Sequence, residues 1–117
     1  MDVNWSAFIA ALIAVESAGD AAAVGDGGDA WGPLQIHAAV LVDVNRHWRT
    51  AYGREDCFNP DSARCICKMY LMQWCGAGAT PEQYARTWNG GPHGAMRTAT
   101  VSYWERVRPH YEVNSKQ

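Results

Sequence analysis

A mainly α-helical fold with at most a short β-hairpin is what the sequence predicts, on three observations. Apolar residues recur at helical spacing from Trp5 onward. Helix-starting signatures with Pro at the first helical position occur at Asn59-Pro60 and Thr80-Pro81. The Gly- and Asp-rich stretch after the first helix has room for a hairpin and little more.

About five helices follow when these signals are read in order. Trp5, Phe8, Ile9, Leu12 and Ile13 stand at i, i+3, i+4, i+7 and i+8, one face of a helix, with Asn4 as its N-cap and Gly19 as its stop. Ala18 to Trp31 reads as a loop with a short hairpin around Gly25-Asp26-Gly27-Gly28. A second helix is expected from about Ala38 to Tyr52, closed by Gly53. A third starts at Pro60 under an Asn59 cap, with Tyr70, Leu71 and Trp74 as core candidates. Thr80-Pro81-Glu82-Gln83 forms a capping box for a short fourth helix, which carries Tyr84 and Trp88 and breaks at Asn89-Gly90-Gly91-Pro92. The last helix is expected near Thr100 to Arg108, ending at Pro109.

With 117 residues, 48% of them hydrophobic, the chain has the size of one domain with one core, residues 1–117, and 113–117 is expected as a disordered tail. The longest apolar run, Phe8 to Val15, falls well short of the roughly 20 residues that cross a bilayer, so a membrane-spanning role is excluded. A net charge of −2 gives no general attraction to nucleic acid. The charge is unevenly spread, however: Met1 to Asn45 holds six acids and no Lys or Arg, which is either a solvated face or a gathering of carboxylates in a cleft. Met1-Asp2-Val3-Asn4 lacks the basic start of a signal peptide, so either a leader has been removed or the protein leaves its cell another way. Nothing calls for a second copy, and a monomer is expected.

Cys57, Cys65, Cys67 and Cys75 crowd into one stretch, which in a short chain reads as a disulfide framework and hence as an exported protein. Cys-Ile-Cys is not the spacing of a zinc knuckle, and His47 and His93 show no ligand-like repeat, so no metal is expected. On a helix, Cys65 and Cys67 point about 200° apart and do not pair with each other. That leaves Cys57–Cys65 with Cys67–Cys75, or Cys57–Cys67 with Cys65–Cys75.

One residue breaks the apolar stripe of the first helix. After Leu12 and Ile13 the next inward position is Glu16, a carboxyl where the pattern calls for Leu or Ile. Partial burial and the negative end of the helix dipole both disfavour its charged form, and a carboxyl kept protonated near neutral pH is a general acid. If the helix ends a turn early, Glu16 simply reaches solvent. The glycine-rich loop that follows directly carries Asp26 and Asp29, where a flexible turn can fold a second carboxylate back over the helix end. Paired carboxylates facing a groove are the machinery of glycoside cleavage.

Three segments then carry a resemblance. Glu16-Ser17-Ala18-Gly19 with Gly25-Asp26-Gly27-Gly28-Asp29-Ala30-Trp31-Gly32-Pro33-Leu34-Gln35-Ile36 resembles the catalytic segment of the lysozyme superfamily, in its goose-type, invertebrate-type and lytic-transglycosylase branches. Tyr84 to Gly94 and Thr100 to Val107 resemble the downstream motifs of the invertebrate type, in the same order. The resemblance implies a lysozyme-like α+β fold with its cleft between the first helix and the Gly-rich loop. It implies Glu16 as the acid and Asp26, six residues before Gly32, as the second carboxylate in preference to Asp29. It also implies that Gln35, Asn89 and Tyr103 face the sugar. The chain departs from the invertebrate type in its far fewer cysteines, so that family's disulfide pattern is not carried over.

The implied substrate is peptidoglycan or a related N-acetylhexosamine polysaccharide such as chitin, cleaved without metal or other cofactor, in a secreted, periplasmic or cell-wall setting. Asp26 then stabilises the oxocarbenium-like transition state, attacks it or activates water. Trp31, in the catalytic loop, is the indole placed to touch substrate, while Trp74 and Trp104 sit on core-like helical faces. His37 is placed either to donate to an acetamido group or to cap the next helix. Arg86, Arg97, Arg106 and Arg108 either help the domain approach an anionic wall or form a solvated face. A lytic transglycosylase on the same fold and a non-catalytic glycan-binding domain remain as alternatives.

Overall fold

The computed structural model describes residues 2–116. Five α-helices and one two-stranded antiparallel sheet make up the architecture: α1 (Trp5–Ser17), β1 (Val24–Gly25), β2 (Ala30–Trp31), α2 (Ala38–Trp48), α3 (Pro60–Cys75), α4 (Pro81–Gly90) and α5 (Val101–Asn114). The strands pair Val24 with Trp31 and Gly25 with Ala30 around a tight turn, Asp26–Gly28.

The expected caps are in place. Asn4 Oδ1 accepts from the Ala7 N–H, Asn59 Oδ1 accepts from Asp61 and Ser62, and Thr80 and Gln83 exchange the two bonds of a capping box. The apolar face of α1 supplies the centre of the core. Phe8 and Leu12 are fully buried together with Leu34 and Ile36 from the segment after the hairpin, Val44 from α2, Ile66 and Leu71 from α3, and Val107 from α5. α1 packs chiefly along α5.

Four expectations are corrected. α2 stops at Trp48 instead of Tyr52, with Arg49 in the left-handed region at φ 57°. The side chain of Asn45 bends the chain away: its Oδ1 accepts from Tyr52 N and Thr50 Oγ1, and its Nδ2 donates to Tyr52 O, each at 2.9 Å. α5 runs past Pro109 to Asn114, so Val113 and Asn114 are helical where a disordered tail was expected; Gln117 lies outside the described residues. An interior Pro costs a helix about 3 kcal/mol. Contacts with α1 offset that cost. Tyr111 packs edge-on against Phe8 at 5.9 Å and its hydroxyl accepts from Asn4 N, while Asn114 Nδ2 donates to Ala7 O.

Trp74, expected in the core beside Tyr70 and Leu71, is 43% exposed, although those two are buried. The expected disulfides are absent as well: all four cysteines are free thiols. Three of them lie on α3, where Cys67 and Cys75 are about 12 Å apart along the axis and Cys65 and Cys75 about 15 Å, against the roughly 7 Å between Cα atoms that a disulfide spans. Each pairing scheme required one of those spans. Burial pushes the Cys57 thiol up to about 11 and that of Cys67 well above its ordinary value, so both stay protonated and serve as small apolar core groups.

No helix among the described residues is long and apolar enough to cross a membrane.

Candidate active site

Glu16 stands on the last turn of α1, half-buried. Ser17 next to it ties the helix end to the hairpin segment, its Oγ lying 2.8 Å from Pro33 O and 3.3 Å from Ile13 O. From across the core, Tyr103 on α5 donates its hydroxyl to Glu16 Oε2 at 2.8 Å. Tyr103 is itself buried. Burial, and then the charge of Glu16, hold its phenol well above the ordinary range, so it acts as a donor and stays one.

Burial also raises Glu16 above the usual carboxylate range, against the opposing pull of the Tyr103 hydrogen bond and the charges of Arg106 and His37. The Arg106 guanidinium lies over the Tyr103 ring, 5.5 Å from its centroid. Cys67 lies close enough for the charge of Glu16 to raise its thiol further. With Oε2 accepting from Tyr103, a proton on this carboxyl resides on Oε1. The arrangement is a weak acid with a fixed orientation and one deliverable proton.

The hairpin brings the other acids together at His37. Its Nδ1 is 3.3 Å from Asp29 Oδ2 and 3.6 Å from Asp26 Oδ2, with the two carboxylates 59% and 71% exposed. Asp26 takes the left-handed conformation at φ 52°. His37 occupies the N-cap position of α2, but its ring makes no capping bond.

Gln35 and Trp31 turn inward on the hairpin. Gln35 Nε2 donates to Gly32 O and Ala23 O, and Trp31 Nε1 donates to Gly28 O at 2.7 Å with the Arg54 guanidinium over its ring. Both brace the loop, and the indole N–H is not available to a ligand in this arrangement. Gly32 is where the hairpin meets the Arg54–Phe58 turn: at φ 79°, a Cβ there would lie 1.8 Å from Cys57 O, so only glycine fits. Asn89, exposed on the last turn of α4, makes no contact that ties it to Glu16. Glu16, Tyr103 and His37, with Asp26 and Asp29 through the imidazole, are thus the predicted residues that the fold gathers. No cluster of three or more His, Cys, Asp or Glu side chains placed for a metal occurs among the described residues.

Comparison with known proteins puts this geometry in context. No family model matches the chain. Among curated proteins it is 31% identical over 86 residues to Lysozyme 1 of Crassostrea virginica, covering 68% of this chain and 44% of that protein. It is 30% identical over 83 residues to a lysozyme of Meretrix lusoria, covering 66% and 64%. It therefore spans less than two thirds of the length of either relative. Among solved structures it superimposes on a chain of the crystal structure of Aeromonas hydrophila PliI in complex with Meretrix lusoria lysozyme, with a TM-score of 0.73 and 24% identity over 87% of this chain and 86% of that one.

The chain is thus similar in sequence to these lysozymes and has a lysozyme-like fold. Within this lysozyme-like fold, three contributors escaped the sequence reading. Arg106 was visible only as part of a basic half, although its place three residues after Tyr103 puts both on one face of α5. Ser17 and Cys67 left no signal, because the role of each depends on a partner far along the chain.

Proposed function

We propose that this chain cleaves the glycan strand of peptidoglycan at the β-1,4 bond between N-acetylmuramic acid and N-acetylglucosamine, with Glu16 as the general acid. The observation that carries the reading is the Glu16–Tyr103 pair: a half-buried carboxyl with a raised pKa, one oxygen held by a phenol and the other left to carry the proton. The names of the similar bivalve proteins, all lysozymes, support it.

The Glu16 Oε1–H protonates the glycosidic oxygen as the C1–O bond breaks, and Tyr103 stabilises the carboxylate that remains. Positive charge developing at C1 is met by Asp26, which stabilises it, attacks it or activates water. His37 holds Asp26 and Asp29 at the hairpin tip in this scheme, and Asn89 contacts the sugar from α4. The substrate places the enzyme outside the plasma membrane, in a secreted, periplasmic or cell-wall setting.

A second reading is a lytic transglycosylase, favoured by the exposure of Asp26 and its engagement with His37. There the muramyl hydroxyl, in place of water, attacks C1 and closes an anhydro ring. Turbidity loss of purified cell walls with wild type and Glu16→Gln, with mass spectrometry of the released muropeptides, tests both. Clearing by wild type alone supports the acid, and reducing or anhydro ends tell hydrolysis from transglycosylation. Clearing by both proteins overturns the role of Glu16, and binding by both without clearing leaves a glycan-binding domain.

A further inference from the structure

Trp74 stands on the last turn of α3 with much of its ring in solvent. Its indole does not swing freely. Nε1 donates to Asp43 Oδ2 at 2.8 Å, and Asp43 is fixed in turn by Gln73 Nε2, which donates to Oδ1 at 3.0 Å. The polar edge of the ring is thus satisfied within the protein while its apolar face is left uncovered, the reverse of what burial alone favours.

Beside that face lies a groove of about 370 Å³, walled by Trp74, Gln83, Thr87, Pro92, Ala95 and Met96. Met96 is 85% exposed. No residue lining the groove is charged.

We infer that this groove is a subsite for one uncharged N-acetylhexosamine ring, stacked on Trp74. The ligand class rests on the glycan-cleaving reading given above. The chemistry matches part by part. A pyranose presents a face of C–H groups to an indole. Gln83 Oε1 accepts from Thr80 N, which fixes the amide, and its Nε2 hydrogens are donors for an acetamido carbonyl. Pro92 and Met96 supply apolar contact for the acetamido methyl. The lactyl carboxylate of N-acetylmuramic acid finds no cation here, so the neutral sugar is selected. Trp74 follows Cys67 by seven residues on α3. The groove therefore lies about 10 Å along the same helix face from the thiol beside Glu16, remote from the bond being cut.

The test uses the Glu16→Gln protein titrated with N-acetylglucosamine oligomers of increasing length, followed by NMR at the Trp74 indole and the Met96 methyl. Both signals shift with the longer oligomers, and Trp74→Ala and Met96→Glu each weaken binding of the longest by about tenfold. Because Met96 is on the surface, its variant keeps the fold, which circular dichroism checks. Shifts confined to the Tyr103 and Asn89 side, unchanged affinity in both variants, or no binding of any oligomer overturns the inference. Equal binding of a muramic-acid oligomer at these two residues overturns the selection for an uncharged ring. Wall clearing that needs Glu16 while Trp74 and Met96 stay unmoved sinks the subsite alone; shifts at both with clearing that does not need Glu16 sink the cleavage reading alone.

Discussion

Glu16 and Asp26 are carboxylates ten residues apart, and their surroundings differ in almost every respect. Glu16 is half-buried at a helix end, gripped by a phenol that comes from 87 residues later in the chain. Asp26 sits at a hairpin tip, largely in solvent, sharing one imidazole with Asp29. Water controls the difference. Where it is excluded, a neutral acid is favoured and single contacts matter; where it is present, charges are screened. Two groups of one chemical type are thereby placed in opposite surroundings.

The strongest way to break this contrast is Glu16→Gln. On the proposed function, this variant lowers wall-clearing rates by about 100- to 10,000-fold with an unchanged circular dichroism spectrum. The same variant has an opposite effect on stability. A carboxyl whose folded pKa is raised costs the native state stability as pH climbs from the ordinary carboxylate range through the raised value. Melting temperatures of wild type and Glu16→Gln are therefore closest in acid and diverge towards neutral pH, where the variant is the more stable.

Gly32→Ala probes the base of the exposed arm. A Cβ against Cys57 O at positive φ destabilises the fold by about 2–4 kcal/mol, read from urea unfolding. Tyr103→Phe sharpens the comparison from the buried side. Its hydrogen bond favours the charged form of Glu16, so its removal raises the acid further and moves the alkaline limb of the pH–rate profile upward, with a roughly tenfold loss at the optimum. His37→Gln gives the smallest effect. Its partners are exposed, so stability changes by less than about 1 kcal/mol, while amide exchange quickens across 24–31.

What was legible in the sequence divides along the same line between local and long-range causes. The stripe from Trp5 to Ile13, the Asn4, Asn59 and Thr80 caps and the Gly-Asp hairpin are decided by neighbours in sequence, and all were readable. Glu16 was readable as an anomaly in that stripe. The early end of α2 depends on the Asn45 side chain, the persistence of α5 through Pro109 on docking against α1, and the exposure of Trp74 on Asp43. The last two depend on residues far along the chain and have no local signature. The cysteines misled for a related reason: their clustering looked like a framework until the straight axis of α3 set them too far apart.

The grip of Tyr103 on Glu16 has a kinetic meaning as well. Residues at the two extremes of a folding chain meet late, because closing a long loop loses more entropy than closing a short one. The N-terminal helix and its acid form from local signals, but the phenol that orients the acid arrives only with the last helix, together with Tyr111 and Asn114. A chain that lacks its final helix thus carries the carboxyl without the contact that orients it.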